Sequence, residues 1–288
     1  MDLLSRRAVS KGEARKDNPM SRMIIAAAAA TLALTFPASA DERVVCTLAL
    51  EVGTTDALIR EGSCEERMSP ASTFKVAISL MGFDTGILTA PDAPEWPFQD
   101  GYADWNPKWK KATTPKSWMQ DSVVWFSQRA TEQLGPDRFA AYVDDFDYGN
   151  EDVSGDKGKG NGLINSWLSS SLQISPEEQV AFLTRMLAGR LPVSTQAVQQ
   201  TAELMDNSEQ SGVWHVYGKT GAGMPFGEDG ELLKGQPFGW YVGWAEKGDR
   251  KIAFARLIRF SERPEGAPGL IARDGLMNVL FAPDGLLN

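Results

Sequence analysis

Two kinds of hydrophobic pattern alternate along the chain and divide it into extended and helical segments. Residues 44–50 are rich in β-branched and apolar side chains and predict a strand, with its return at residues 57–60. Ser69-Pro70 is typical of a helix start, because a cap residue is followed by a proline at the first helical position. Strand-like runs return late in the chain, at residues 214–217, 238–245 and 252–257.

The stretch between these strand regions has mostly helical patterns. Helices are predicted at residues 119–133, 136–146, 175–187, 194–205 and 268–280. Residues 92–118 are irregular and rich in tryptophan, and residues 155–162 read as a glycine-rich loop. Strands at both ends of a helical middle predict an α/β (α+β) fold, with an antiparallel sheet assembled from both chain ends and a helical lobe beside it.

The first forty residues follow another pattern and are interpreted as a leader. Residues 23–36 are almost uninterruptedly apolar, with Arg22 before them and Ala38-Ser39-Ala40 after them. A basic flank, an apolar centre and small residues form the pattern of a secretory signal peptide, and an uncleaved anchor is the alternative. Residues 1–19 resemble an extra leader, which makes Met20 a candidate start. We predict export to the periplasm, cleavage near Ala40, no stable membrane insertion and one folded domain over residues 41–288.

Charge narrows the possible partners. The 288 residues include 29 basic and 38 acidic side chains, a net charge of −9. Removal of residues 1–40 would leave 23 basic and 35 acidic side chains, a charge of −12. An acidic protein offers no net positive field to phosphates, so nucleic-acid binding is excluded as a function class.

Histidine and cysteine are scarce. His215 is the only histidine, and Cys46 and Cys64 are the only cysteines, which is too few for a four-ligand structural zinc site. No metal is therefore predicted. A Ser-His-Asp triad would need His215, which we interpret as a structural residue. Export to an oxidising compartment favours a Cys46–Cys64 disulfide across the first two strands over two buried thiols.

Candidate chemistry begins at the predicted helix start. In Ser72-Thr73-Phe74-Lys75, the serine and the lysine stand three residues apart and share one helix face. A serine hydroxyl needs an adjacent base to act as a nucleophile, and a lysine serves only when it is neutral. Burial in apolar surroundings lowers a lysine pKa by disfavouring its charged form. Alone, this motif is also compatible with a helix cap and a surface lysine.

Lys219-Thr220-Gly221 is a second motif and follows a strand-like run. A lysine and a hydroxyl can hold a substrate carboxylate, and the glycine allows a ligand to approach the backbone closely. A phosphate-binding loop is the alternative, but that motif requires a glycine where Val213 stands, and no helix start follows Thr220.

Taken together, the motifs resemble those of class D β-lactamases, the oxacillinase family. Ser-x-x-Lys followed by Lys-Thr-Gly is the pattern of penicillin-recognising serine enzymes. A class A enzyme would carry Ser-Asp-Asn in place of Ser122-Val123-Val124. The resemblance covers nearly all of residues 41–288 and rests on the segments 70–75, 122–124, 148–150, 167–175 and 219–221.

The resemblance implies a β-lactamase/transpeptidase-like catalytic domain and a role for each motif residue. Ser72 would be the acylated nucleophile. Lys75 would be the general base, carbamylated by carbon dioxide to N6-carboxylysine, and no other cofactor is implied. Trp167 would donate its indole N–H to the carbamate. Ser122 would relay a proton to the leaving nitrogen.

The remaining motif residues are assigned to the substrate and the pocket wall. Lys219, Thr220 and Gly221 would face the substrate carboxylate, and the backbone N–H groups of Ser72 and Ala222 would form the oxyanion hole. The turn Tyr148-Gly149-Asn150 would shape the wall near the lysine. Many relatives bind the carboxylate with an arginine close to the last helix. Arg263 and Arg273 flank that place without an unambiguous match, and Arg273 is the residue that we assign.

The implied function is hydrolysis of β-lactam antibiotics, with small-molecule substrates as the only predicted partners. The alternative is a β-lactam sensor or a penicillin-binding protein, which is acylated by the same chemistry but does not turn over. A sensor would carry transmembrane helices and a cytoplasmic domain, and a transpeptidase would carry an anchor or extra domains.

Overall fold

The computed structural model describes residues 41–207, 213–227 and 230–288. The predicted leader over residues 1–40, with its cleavage site and Met20, lies outside the described residues. In the part of the chain that is described, no helix combines the length and the apolar character needed to cross a bilayer.

A five-stranded antiparallel sheet forms the centre of the fold. Its strands are β1 (Glu42–Glu51), β2 (Ala57–Gly62), β3 (His215–Gly223), β4 (Phe238–Lys247) and β5 (Arg250–Phe260). The spatial order is β2-β1-β5-β4-β3, so the first and last strands of the chain meet where β1 pairs with β5. The predicted sheet built from both chain ends is confirmed, and its strands are longer than the apolar runs indicated.

Helices cover both faces of the sheet, which explains why β4 is buried along most of its length. The last helix, α8 (Pro268–Phe281), packs on β3, β4 and β5, and α6 (Pro176–Leu187) packs against β1, β4 and β5. Along β4, Trp240, Val242 and Trp244 join one core while Tyr241 and Ala245 join the core beneath α8. This alternation follows from the two-residue period of a strand.

The helical lobe contains the other helices that the structure describes. They are α1 (Lys75–Asp84), α2 (Pro115–Asp121), α3 (Val124–Leu134), α4 (Pro136–Asp145), α5 (Gly162–Asn165) and α7 (Thr195–Met205). The predicted capping box of α6 is present, because Ser175 Oγ accepts from Glu178 N at 3.2 Å and Glu178 Oε2 accepts from Ser175 N at 2.8 Å. The tryptophan-rich region is irregular as predicted, apart from a short 3-10 turn at Pro107–Trp109 and its last residues, which form the start of α2 from Pro115.

Two helix predictions were wrong in instructive ways. The single helix predicted at residues 119–133 is two helices, because Ser122 adopts a left-handed conformation (φ 58°) that ends α2. The helix predicted after Ser69-Pro70 begins as a 3-10 turn at Ala71–Phe74, and Ser69 makes no cap bond to it. The Ser69 hydroxyl is instead bonded to a segment about a hundred residues away.

The predicted disulfide is confirmed. Cys46 lies in β1 and Cys64 follows β2, their Cα atoms are 4.9 Å apart, and the bond joins two fully buried sulfur atoms. It closes the edge hairpin of the sheet against the segment that leads to Ser72.

Candidate active site

The predicted nucleophile and base lie where the 3-10 turn meets α1. Lys75 Nζ is 3.3 Å from Ser72 Oγ, within hydrogen-bonding distance. Ala71, immediately before the serine, has a positive φ of 49°, which is unfavourable for a residue with a side chain. Strained backbone of this kind is concentrated at functional sites, where the surrounding packing enforces it.

Two buried lysines lie close to one another in this region. Lys75 is completely buried and Lys219 is 4% exposed. Burial, followed by repulsion from the charge of Lys219, holds the pKa of Lys75 well below its ordinary value. Burial alone lowers the pKa of Lys219 to about 7. The surroundings of Lys75 therefore favour the neutral form that a lysine base requires.

The sequence pattern had placed Ser122 inside a single helix, but in the structure Ser122 joins α2 to α3. It lines the same cleft as Ser72. The carbonyl of the preceding Asp121 accepts a 3.0 Å hydrogen bond from Trp109 Nε1, so the tryptophan-rich region fixes the end of α2. The left-handed turn thus presents Ser122 to the cleft from a rigid support.

The Lys-Thr-Gly motif occupies β3, the edge strand next to β4. Lys219 Nζ donates to the carbonyl of Thr220 at 2.9 Å. Gly221 allows close packing against the nucleophile segment, because a Cβ there would be 3.0 Å from the carbonyl oxygen of Pro70, a tight contact. One row of β3 backbone groups faces away from β4, so N–H groups on that side are free of the sheet ladder. Ala222 is an exposed residue near the end of β3.

A cleft of about 440 Å³ is lined by members of several motifs, whereas the buried side chains of Lys75, Lys219 and Trp167 are not among its lining residues. Its polar and small lining residues include Ser72, Ser122, Ser169, Thr220, Gly221 and Ala222. Its apolar lining includes Trp105, Trp109, Val124, Leu168, Met224 and Leu270. Trp105 is 67% exposed, so a large aromatic surface stands at the rim of the cleft. A cleft of this size, with a few polar groups in an apolar wall, is suited to a small molecule.

Trp167 and the Tyr148-Gly149-Asn150 turn lie on the helical side of the predicted base. Trp167 is fully buried with its ring 5.4 Å from that of Phe74, the neighbour of Lys75. Its Nε1 is buried and has no hydrogen-bond partner among the described residues. The ring of Tyr148 lies 5.0 Å from Phe74, and Asn150 Nδ2 donates to the carbonyl of Ser171 at 2.9 Å. These positions agree with a wall beside the lysine.

Ser69 is a contributor that sequence reasoning missed. Its hydroxyl donates to the carbonyl of Trp167 at 2.8 Å and accepts from the N–H of Ser169 at 3.0 Å. Ser169 Oγ in turn accepts from the N–H of Met224 at 3.0 Å. The nucleophile segment, the Trp167 segment and the end of β3 are thereby joined. The only sequence signal was a serine before a proline, which reads as a helix cap.

Three other candidates lie outside the cleft lining. Arg273 is on α8, where it forms an ion pair with Asp274 at 2.7 Å. Arg263 is exposed in the loop before α8, and the cleft is lined at that end by Ala267, Gly269 and Leu270. His215 is exposed at the start of β3 and is not a buried structural histidine. Across residues 41–207, 213–227 and 230–288, no group of three acidic, histidine or cysteine side chains is arranged to hold a metal.

Comparison with known proteins identifies the family. Residues 29–274 match the penicillin binding protein transpeptidase domain. The chain is 43% identical to β-lactamase OXA-9 of Klebsiella pneumoniae over 253 residues, which covers 86% of this chain and 91% of that protein. The chain belongs to the class D β-lactamase family. The fold and the recognition made from the motifs are thus confirmed.

Solved structures of class D β-lactamases and their relatives share the fold. The crystal structure of the class D β-lactamase OXA-427 is 44% identical, with a TM-score of 0.77, over 81% of this chain and 95% of that one. The C-terminal domain of the Bacillus licheniformis BlaR penicillin-receptor is 27% identical, with a TM-score of 0.71, over 84% of this chain and 89% of that one. The class D fold therefore occurs in an enzyme and in a receptor domain.

Proposed function

We propose that this class D β-lactamase hydrolyses β-lactam antibiotics through an acyl-enzyme on Ser72. The observation that carries the proposal is the 3.3 Å contact between Ser72 Oγ and Nζ of a fully buried lysine, beside a ligand-sized cleft. A lysine whose pKa is lowered by burial can remain neutral and accept the hydroxyl proton.

Acylation would proceed across this cleft. Ser72 Oγ attacks the lactam carbonyl carbon, the ring C–N bond breaks, and an ester to Ser72 forms. The N–H groups of Ser72 and Ala222 would stabilise the negative charge on the carbonyl oxygen. Ser122, on the opposite wall, would deliver the proton that the departing nitrogen requires.

The residues around Lys75 fit a carbamate on its amine. Formation of a lysine carbamate requires a neutral amine, and burial supplies this condition. Trp167 Nε1 is a buried donor without a partner among the described residues, and a buried donor normally has one. Lys75 and Trp167 would hold the group. When present, the carbamate would supply a carboxylate-like base for serine activation and for the hydrolytic water.

Lys219 and Thr220 would bind the substrate carboxylate. The ammonium group of Lys219 is hydrogen-bonded to the carbonyl of Thr220, and Thr220 lines the cleft. The assignment of Arg273 stays a prediction, and its ion pair with Asp274 would have to be exchanged for one with the substrate. The apolar start of α8, with Ala267 and Leu270 at the cleft, leaves Lys219 as the cation that we favour.

Turnover tests the proposed function. We expect purified protein to hydrolyse nitrocefin and oxacillin over many cycles, because the site contains both a nucleophile and a base. Ser72→Ala should abolish turnover and covalent labelling. The measurement is the hydrolysis rate together with the mass of the protein after exposure to substrate. Stoichiometric labelling of Ser72 without turnover would overturn the hydrolase and would support a receptor-like role.

Export is tested by the mass of the secreted protein. We propose that the protein acts in the periplasm after removal of residues 1–40, because the N-terminal pattern is that of a signal peptide. Expression of the full chain should give a periplasmic protein whose mass and N-terminal sequence begin at Asp41. Full-length protein retained in the membrane fraction would favour the uncleaved anchor.

A further inference from the structure

The glycine-rich loop noted in the sequence contains an acidic hydrogen-bonding centre at Asp156. Asp156 Oδ1 accepts from Ser170 Oγ at 2.8 Å and from Asn165 Nδ2 at 3.0 Å. Asp156 Oδ2 accepts from Asn161 Nδ2 and from Lys159 Nζ, each at 3.1 Å. The carboxylate of Asp156 therefore accepts hydrogen bonds from four side chains, although the Asp156 side chain is still 29% exposed.

Two of these donors stand on either side of Trp167. Asn165 ends α5, two residues before the tryptophan, and Ser170 follows it by three. Both donate to the same carboxylate oxygen, so Asp156 connects the two ends of the short segment that carries the indole. Ser170 is only 3% exposed, so its hydroxyl has little access to water as a substitute partner.

The opposite side of the segment is fixed by Ser69, which binds the carbonyl of Trp167 and the N–H of Ser169. Trp167 is thus held between two hydrogen-bonding centres, one on the nucleophile segment and one on the glycine-rich loop. The ring of Trp167 packs against Phe74 and Phe139, and the backbone of residues 165–170 sets the position from which the indole extends. A change at Asp156 would reach the indole through that backbone.

We propose that Asp156 is a positioning residue that holds the indole N–H of Trp167 in place for a carbamate on Lys75. The inference rests on the proposed carbamylation and concerns this chain's own residues around it. Asp156 does not line the cleft and acts through Asn165 and Ser170.

The charge of Asp156 matters because its four side-chain partners are all donors. A carboxylate offers about four lone-pair sites, whereas an asparagine has one carbonyl oxygen and an NH₂ group that cannot accept. Burial acts to raise the pKa of Asp156, but hydrogen bonds from Ser170, Lys159 and Asn161 lower it overall, so the carboxylate is ionised at neutral pH. Asp156→Asn would therefore point an NH₂ group at another donor and loosen the segment.

The test measures carbamate formation directly. Decarboxylated protein is titrated with ¹³C-labelled bicarbonate, and the carbamate carbon is followed by ¹³C NMR, with Lys75→Ala as the blank. We expect Asp156→Asn to weaken the apparent affinity for bicarbonate about tenfold, the size of effect that loss of a supporting outer partner has at metal sites. Trp167→Phe, which removes the indole donor itself, should weaken it further.

Asp152→Asn is the matched control. Asp152 lies just before the glycine-rich loop, is exposed, and accepts from the N–H of Ser154 at 2.9 Å, a bond that an asparagine oxygen can keep. We expect a wild-type affinity for bicarbonate. Ser170→Ala retains the Asp156 carboxylate and should raise the dissociation constant for bicarbonate by a smaller factor. If Asp156→Asn does not fold, Ser170→Ala tests the positioning role in its place.

Two failures are distinguishable. If the wild-type protein and Lys75→Ala give the same spectrum, the proposed carbamate is absent and the proposed function loses its base. If the wild type shows the carbamate but Asp156→Asn, or Ser170→Ala in its place, has the wild-type affinity, the positioning role is overturned. An equal loss in Asp152→Asn overturns it too, because the effect would then belong to the loop as a whole.

Discussion

Lys75→Ala is expected to convert the enzyme into a protein that retains β-lactam on Ser72. Removal of a positioned general base typically costs about 10²- to 10⁴-fold in rate, and both acylation and ester hydrolysis would need this base. In the wild-type structure, no other described side chain is bonded to the Ser72 hydroxyl. We therefore expect hydrolysis of the ester to slow by about 10²- to 10⁴-fold, so that acylated protein accumulates relative to the wild type.

Single-turnover mass spectrometry measures this effect, since it follows the appearance and the decay of the adduct on Ser72. Lys116→Ala, a change at an exposed lysine of α2, should behave as the wild type. Added bicarbonate should raise the rate of the wild type and leave Lys75→Ala unchanged. Normal turnover by Lys75→Ala would mean that the carbamate mechanism is wrong.

The parts of the fold that were predictable depend on local pattern. β4 was found because consecutive apolar residues satisfy a strand that is covered on both faces of its sheet. The α6 capping box was found because Ser175 and Glu178 are three residues apart. The order of the segments predicted a sheet assembled from both chain ends, and the structure shows which strands meet there, because β1 pairs with β5.

The parts that were missed depend on contacts between distant segments. Ser69 reads locally as a cap, but its partners are about a hundred residues away. The helical pattern across Ser122 is continuous, and only tertiary packing, including the Trp109 bond to the end of α2, selects the left-handed turn. Asp156 lies in a segment that the sequence identified only as a glycine-rich loop, whereas four donors converge on its carboxylate.

The features that the sequence did not predict have a common physical cause, and they lie at or near the candidate active site. Strained residues and long-range polar bonds persist only where surrounding packing over-determines them, and such places are enriched at functional sites. Ala71, Ser122 and Ser169 all have positive φ, and all three line the cleft. The sequence motifs located the reacting groups, but the strain that presents them follows from the assembled fold.

Lys219→Gln is expected to lower kcat/KM for penicillins about 10- to 100-fold, because a charge-assisted hydrogen bond contributes roughly 1.5–3 kcal/mol. The pH profile makes the prediction specific. Burial lowers the pKa of Lys219 to about 7, so the free enzyme carries this cation below that pH and loses it above. Wild-type kcat/KM for a carboxylate substrate should therefore fall as the pH rises through about 7.

In Lys219→Gln this alkaline decline should disappear, and the acid side of the profile should also move. The charge of Lys219 is the second cause, after burial, of the lowered pKa of Lys75. Its removal raises the pKa of Lys75, so neutral Lys75 appears only at higher pH and the acid limb shifts upward. The measurement is kcat/KM against pH at saturating bicarbonate, with Lys251→Gln on β5 as the control. Persistence of the decline near pH 7 would show that another group causes it, and carboxylate binding would then have to be assigned elsewhere.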